Sequence, residues 1–309
     1  MNIFITGGAG FIGSHLTRAL VKGGHAVTVL TRKESDLSRI ADIQKKVTLV
    51  VCDIADREAL VKIVEHAKPK GIFHLAASNI QAGKTDAVEQ LMRSNVHGTQ
   101  NLLDATNDLP YKFFMQTGSY LEYGKRSDII KETDRAEPME IYAKTKLEAT
   151  LATQAHGRTH KKPTVVFRIF SPYGPNMQQG RLVREVITRA LRGDPIRLTK
   201  PEIARDFIEV GDIVALLLAA MEKAKDVGGE IFNLGSGKST SLGSFVDLVL
   251  TKTGSKSAVE WDAFPPVLYD TAHSQADMQK TFSHFAWRPK TSLEAGVTRM
   301  IDWISSLPS

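Results

Sequence analysis

The stretch that most constrains this chain is Thr6-Gly7-Gly8-Ala9-Gly10-Phe11-Ile12-Gly13, placed directly after the short apolar run that begins at Asn2 and at the head of an amphipathic run from Phe11 to Val21. The first run reads as a buried strand and the second as a helix, so the glycines mark a strand-to-helix turn. Such a turn suits a dinucleotide. Gly7 can take the backbone through a tight bend, Gly10 has no side chain to hold a pyrophosphate away, and Gly13 lets the helix pack closely on the strand. The amides exposed at the helix start then face the phosphate charge. Many glycine-rich turns are only turns, and it is the strand before and the helix behind that give this one its meaning.

His25 to Leu30 alternates into a second strand. A chain built for NAD usually places Asp or Glu about 20 residues past the glycines, where it bonds the ribose hydroxyls. Thr31, Arg32 and Lys33 stand there instead, and a guanidinium at that point suits a 2′-phosphate. NADP is therefore the expected cofactor. NAD stays possible, with Glu34 or Asp36 left to serve the ribose. Val47 to Cys52 forms a third strand, followed by Asp53 at its carboxyl end and by Asp56, which is placed to cap a helix from Arg57 to Ala67. Gly71 to Leu75 is the fourth strand and runs into Ala76-Ala77-Ser78, small residues that either admit a ligand or only let helix and sheet pack. A long helical stretch from Asp86 to Thr106 contains a polar Asn95 that needs partners if buried, and Lys112 to Gln116 is the fifth strand. Strands and helices alternate throughout, so the economical fold is α/β with a doubly wound parallel sheet.

Composition narrows the function classes. The 309 residues can bury a substantial core in one large α/β domain or two unequal lobes. The net charge of +6 is spread over Lys and Arg scattered among Asp and Glu, without a long like-charge block, so a solvated surface is favoured over nucleic-acid binding. A single cysteine, Cys52, excludes an intramolecular disulfide. His97 stands alone with no ligand-spaced cluster around it, so no metal is expected. There is no signal-peptide layout and no apolar run of membrane-spanning length, and a cytoplasmic protein without membrane contact is expected.

The chemistry is expected behind the fifth strand. Ser119 follows it in Thr117-Gly118-Ser119-Tyr120-Leu121-Glu122-Tyr123-Gly124, and a helix beginning near Glu140 carries Tyr142 and Lys146, which at a spacing of four lie on one face. A phenol ionises near pH ~10, and a fixed ammonium nearby favours the phenolate. Ser119 is placed to hold a substrate carbonyl or hydroxyl against Tyr142. Tyrosine and lysine at this spacing are often only a half-buried ring beside a solvated charge; here the dinucleotide turn and the serine give them a joint use.

In this order and spacing these pieces resemble the extended short-chain dehydrogenase/reductases of the nucleotide-sugar epimerase/dehydratase type. Also matching are His74-Leu75-Ala76-Ala77, Asn95-Val96-His97-Gly98-Thr99, Arg168 with Tyr173-Gly174-Pro175, Arg205-Asp206-Phe207-Ile208-Glu209-Val210, Asn233-Leu234-Gly235-Ser236-Gly237 and Trp287-Arg288-Pro289. The resemblance implies a Rossmann domain over residues 1–170, to which 205–235 return, and a smaller C-terminal substrate lobe formed by 171–204 and 236–309. It implies that Gly7, Gly10 and Gly13, with Phe11 and Ile12, hold the pyrophosphate. Arg32 would meet the adenosine ribose and Asp53 and Ile54 the adenine, while Leu75, Ala76, Ala77, Asn95, Thr117 and Phe170 line the cofactor channel. Ser119, Tyr142 and Lys146 form the catalytic trio, with Tyr142 and Lys146 also on the cofactor. Ser78, Ser119, Tyr142, Ser171, Asn176 and Arg205 face the sugar nucleotide, Arg205 at its diphosphate unless it is only an ion-pair partner for Asp206. A homodimer through the helices starting near Asp86 and Glu140 is implied as well.

Departures from the family pattern shape the expected reaction. Sugar 4,6-dehydratases carry Asp-Glu just after the position of Ser119, whereas this chain has Tyr120 and Leu121, which argues against dehydration. Arg32 stands where NAD epimerases favour an acid, and Gly118 to Gly124 resembles the corresponding segment of the 4-ketoreductases of deoxysugar pathways. The expected activity is NADPH-dependent reduction of the 4-keto group of a nucleoside-diphosphate 4-keto-6-deoxyhexose, with Tyr142 as general acid. The alternatives are an NAD-dependent 4-epimerase of a UDP-sugar and a non-catalytic NAD(P)-binding scaffold. Ser171, where many relatives carry asparagine, leaves sugar and nucleotide open. The loop from Trp261 to Tyr269 is read either as flanking the substrate or as a surface connector.

Overall fold

Apolar runs too short for helices, each ended by glycine or small residues, become parallel strands here because helices cover both faces of the sheet they form. The computed structural model describes residues 1–78, 87–126, 128–265 and 273–307; the remainder of the Trp261 to Tyr269 loop beyond residue 265, and the helix start at Asp86, lie outside the described residues. The strands are β1 (Asn2–Thr6), β2 (Ala26–Thr31), β3 (Thr48–Val51), β4 (Gly71–His74), β5 (Phe114–Ser119), β6 (Thr164–Ile169) and β7 (Glu230–Leu234), in the spatial order β7-β6-β5-β4-β1-β2-β3. All six neighbouring pairs run parallel. The order reverses between β1 and β4, and in such sheets ligands bind outside the carboxyl ends of the strands at that reversal.

The longer helices are α1 (Phe11–Lys22), α2 (Arg57–Ala67), α3 (Gly98–Thr106), α4 (Ile141–His160), α5 (Leu182–Arg192), α6 (Val210–Ala220), α7 (Leu242–Thr253) and α8 (Leu293–Ser305). Asp56 caps α2 as its position suggests, accepting from the Ala59 N–H at 3.1 Å. α3 continues a π-helical segment, Met92–His97, which the sequence read as ordinary helix. β5 is longer than the sequence suggests. It carries on past Gln116 through Thr117, Gly118 and Ser119, because β6 pairs with it to the end, Gly118 opposite Arg168 and Ser119 opposite Ile169. Among the described residues, no helix is long and apolar enough to cross a membrane.

Alternate residues along the strands feed two cores. Ile3, Ile5, Phe73, Met115 and Phe167 pack on one face with Leu16 and Leu20 of α1, while Phe4, Ile72 and Phe114 pack on the other with Leu60, Val64, Leu102 and Leu103 of α2 and α3. A separate cluster joins Val183, Val186 and Ile187 of α5 to Phe245 and Val249 of α7 and Val297 and Met300 of α8. Residues of 236–309, expected in the smaller lobe, divide between the two clusters. Ala276, Met278, Phe285 and Trp287 join the larger core, because Gln275–Ala276 pairs with Ile129–Ile130 and the Phe285 ring packs on Phe232 at 4.9 Å.

One buried polar side chain couples the sheet to pH. His74, at the end of β4, is only 2% exposed and sits between the Thr6 hydroxyl (2.7 Å) and the Thr99 hydroxyl (2.8 Å). Burial, with a smaller push from the Lys146 charge, lowers its pKa to about 3. The folded state therefore binds this proton only near pH 3, whereas the unfolded chain binds it near pH 6.5, so the stability His74 contributes is present above the latter value and lost as pH falls between the two. Replacing His74 by Gln should remove that component. Unfolding free energies from denaturant titrations between pH 7 and 4 should fall less steeply in His74→Gln than in the parent, by up to ~1.4 kcal/mol per pH unit; parallel declines would show that His74 is not held neutral.

Candidate functional site

The glycine turn sits at the sheet's reversal point and is crowded on its inner side and open on its outer. Gly7 has φ +72, and a Cβ there would lie 2.6 Å from the Ala76 nitrogen and 2.7 Å from the Leu75 carbonyl carbon. A Cβ at Gly13 would lie 2.0 Å from the Gly7 oxygen. Gly8, which sequence reading passed over, is equally constrained, with a Cβ reaching Val29 Cγ1 at 2.8 Å. Gly10 faces outward, where a Cβ would meet only the Gly7 oxygen at 3.1 Å. α1 starts with no side-chain cap and no acid in its first turn, so its first amides are left for an acceptor from outside, and this arrangement fits the pyrophosphate of a dinucleotide. Phe11 and Ile12 have only their main chain to offer. Phe11 packs on the smaller cluster and Ile12 on the larger.

At the adenosine end, Arg32 and Lys33 are exposed beyond β2, with the Arg32 N–H donating to Ser35 Oγ at 2.8 Å. Asp36 accepts from the Ser38 N–H at 2.9 Å. Asp53 has one carboxylate oxygen on the Ala55 N–H (2.9 Å) and the other on Arg93 Nη2 (3.0 Å), an ion pair that nothing in the local sequence signals. Ile54 is buried against Gly98, where a Cβ would come within 2.5 Å of its Cγ2.

Beside the turn, Leu75 and Ala76 continue from β4, their amides bonded to the Thr6 carbonyl (3.0 Å) and the Thr6 hydroxyl (3.2 Å), and Ala77 is exposed. Asn95, expected beside the cofactor, is buried with its amide bonded to main chain and a hydroxyl. Its Nδ2 donates to the Ser78 carbonyl (3.1 Å) and Thr145 Oγ1 (3.0 Å), its Oδ1 accepts from the Ser78 N–H (2.8 Å), and it is 2% exposed. Both amide hydrogens are spent, so its work is to tie Ser78 to the helix that carries Tyr142. Ser78 Oγ in turn donates to Ser94 at 3.0 Å.

Ser119 ends β5, and α4 lies against that strand with Tyr142 in its first turn and Lys146 one turn on. Lys146 Nζ donates to the Thr117 carbonyl at 2.5 Å. Burial lowers its pKa to about 8 against an opposing pull from Glu122. The half-buried Tyr142 departs from expectation, because burial raises its pKa to about 12, Glu122 and Tyr120 add to the rise, and the cation that opposes it is Arg181. Desolvation outweighs the Arg181 guanidinium in the protein alone. The Ser119 hydroxyl accepts from the Leu121 N–H at 3.3 Å and its main-chain N–H donates to Glu122 Oε1 at 2.7 Å. Neither the Ser119 hydroxyl hydrogen nor the Tyr142 hydroxyl bonds a described residue, so both keep hydrogen-bonding capacity to spare.

On the substrate side the expected residues divide. Ser171 is half-buried, its carbonyl taking the Ile208 N–H at 3.1 Å. Asn176 has φ +65 and its carbonyl accepts from Arg39 Nε at 2.9 Å, while the neighbouring Pro175 carbonyl bonds His15 Nε2 at 2.8 Å, so this loop ties the smaller cluster to α1 and to the segment after β2. Phe170, expected on the cofactor, is completely buried, and its ring stacks on Tyr120 with centroids 5.3 Å apart. Arg205 is buried on a two-residue strand with Nη1 on the Ala204 carbonyl at 3.3 Å. Asp206 is held by the amides of Ser236, Gly237 and Ala276 at 2.7 to 3.0 Å and by the Ser236 hydroxyl.

A probable UDP-glucuronate 4-epimerase of Rhizobium meliloti is 29% identical, with 98% of this chain and 96% of that protein aligned. The solved structure of UDP-glucose 4-epimerase with UDP-glucose from Thermotoga maritima is 27% identical and superposes with a TM-score of 0.90 over 99% of each chain. MoeE5, solved in complex with UDP-glucuronic acid and NAD, is 25% identical with a TM-score of 0.87 over 99% of each chain. Residues 3–235 match the model of the NAD dependent epimerase/dehydratase family. This chain is thus an enzyme of the NAD dependent epimerase/dehydratase family.

Proposed function

We propose that this enzyme is an NAD-dependent 4-epimerase of a UDP-sugar. The observation that carries the reading is the Lys146 to Thr117 bond, which pins the helix bearing Tyr142 to the strand end bearing Ser119, beside a turn that fits a dinucleotide. The relatives weigh in the same direction: the Rhizobium and Thermotoga proteins are named as 4-epimerases, and MoeE5 was solved with UDP-glucuronic acid and NAD. The ketoreductase expected from sequence therefore gives way to the epimerase alternative.

When bound, an oxidised nicotinamide supplies the hydride acceptor and a positive charge that favours the Tyr142 phenolate. Tyr142 takes the proton from the sugar's 4-hydroxyl and later returns it, and Ser119 hydrogen-bonds the same oxygen. Lys146, anchored at Thr117, holds a positive charge beside the phenol. The half-buried Ser171 and the guanidinium of Arg205 are assigned to the nucleotide diphosphate end. Leu151 on α4 is 48% exposed and Val88, in the short helix ahead of the π-helical segment, is 52% exposed, and these faces are assigned to a homodimer contact through α4 and that helical stretch.

A second reading, NADPH-dependent 4-ketoreduction, is supported by one observation, the exposed Arg32 and Lys33 at the end of β2 where a 2′-phosphate would lie. The two readings separate on the contents of the purified protein. An epimerase keeps its cofactor through the cycle, so denaturation should release close to one NAD(H) per chain; a protein that comes empty and oxidises NADPH in the presence of a 4-ketosugar would support the reductase instead. Tyr142→Phe should lower kcat by ~10²-fold or more while leaving the amount of bound cofactor unchanged, as measured by turnover and by cofactor release; equal loss of both would remove Tyr142 from the proton transfer.

A further inference from the structure

We propose that Glu122 is a positioning residue of this site, holding Ser119 and the Tyr142 helix in register through a buried hydrogen-bonded pair with Arg168. The inference rests on the reading of Ser119 and Tyr142 given above. Glu122 is 0% exposed, in the turn after β5. Its Oε1 accepts from the Ser119 N–H at 2.7 Å and from Thr150 Oγ1 at 3.1 Å, and its Oε2 accepts from Arg168 Nε at 2.7 Å. Thr150 lies one turn beyond Lys146 on α4. One carboxylate therefore ties the strand end that carries Ser119 to the helix that carries Tyr142 and Lys146.

The surroundings are shaped around that carboxylate. Arg168 stands opposite Gly118 on β5 and opposite Asn233 on β7. A Cβ at Gly118 would come within 2.8 Å of Glu122 Oε1 and 3.2 Å of both Arg168 Cγ and Thr150 Oγ1, so only glycine leaves the space the pair occupies. The Arg168 guanidinium stacks on the Tyr123 ring at 4.3 Å, and the Tyr123 hydroxyl donates to Asn233 Oδ1 at 2.7 Å. A row of polar groups thus runs beneath the strand ends from Ser119 to β7. Burying a carboxylate and a guanidinium is costly, and apolar residues of like volume often hold a fold as well. What an apolar pair cannot do is accept the Ser119 amide hydrogen and the Thr150 hydroxyl together, and catalytic groups misplaced by as little as ~1 Å can cost ~10²-fold in rate.

The test separates holding the fold from holding the site. Three variants are compared with the parent: Glu122→Gln, the paired Glu122→Val with Arg168→Met, and Thr150→Val, which removes a single hydrogen bond. Each is measured for melting temperature, bound cofactor, kcat and KM on a UDP-sugar, and amide hydrogen exchange over residues 117–123. The paired variant should melt near the parent and keep its cofactor, yet show kcat lowered by ~10²-fold at little-changed KM and faster exchange at Ser119. Glu122→Gln and Thr150→Val should show smaller losses of the same kind. A folded paired variant with parental kcat and parental exchange would overturn the proposal, as would Thr150→Val indistinguishable from the parent in both readouts. If the parent itself turns over no UDP-sugar, the proposed reaction fails, and the exchange measurement still decides whether Glu122 holds Ser119.

Discussion

The whole arrangement depends on how closely two adjacent parallel strands let their carboxyl ends approach. After β1 the chain must turn into α1 against the main chain that leaves β4, and the 2.6 Å that a Gly7 Cβ would leave to the Ala76 nitrogen shows that no side chain fits between them. Gly13 closes the same contact from the helix side, at 2.0 Å from the Gly7 oxygen. Because the inner face is filled by backbone, the outer face, with Gly10 and the uncapped start of α1, is what remains for a pyrophosphate. The anion site is a consequence of the close packing of main chain on main chain.

Around that edge the sheet carries buried polar side chains, and His74, Asn95 and Glu122 each have partners. His74 bridges Thr6 and Thr99, and Asn95 joins Ser78 to Thr145. Glu122 joins Ser119, Thr150 and Arg168. Buried polar groups that are fully satisfied specify one arrangement of the elements they connect. Here they fix α3, α4 and the loop after β4 relative to β1 and β5, the strand end that carries Ser119 and the helix that carries Tyr142 and Lys146 included. The reacting groups are few, and the network behind them is larger.

The fold was legible because it rests on local signals: apolar runs of strand length, glycine at the turn, and Asp56 at a helix start. The places of Gly7 and Gly13 in the turn, of Ser119 at a strand end and of Tyr142 and Lys146 one turn apart on a helix were legible for the same reason, since strand ends and helical spacing are local. Contacts between distant segments were not. Arg93 reaches Asp53 across 40 residues and Arg168 reaches Glu122 across 46, and no periodicity announces either pair. The partners of Phe170 and Asn95 were hidden for a related cause: residue type does not show which distant ring or main chain a buried side chain will meet. The acidity of Tyr142 was misjudged because spacing shows which charge is near but not how much water the site excludes.

The central claim is that one hydride leaves and returns to the same sugar carbon while Tyr142 handles the proton. It is tested most directly with a UDP-sugar carrying deuterium at C4, converted by the purified enzyme without added cofactor and examined by NMR. The account predicts the 4-epimer with deuterium still at C4 and no label appearing in water. A 4-epimer with hydrogen at C4, or conversion that proceeds only when external NADPH is consumed, would contradict it.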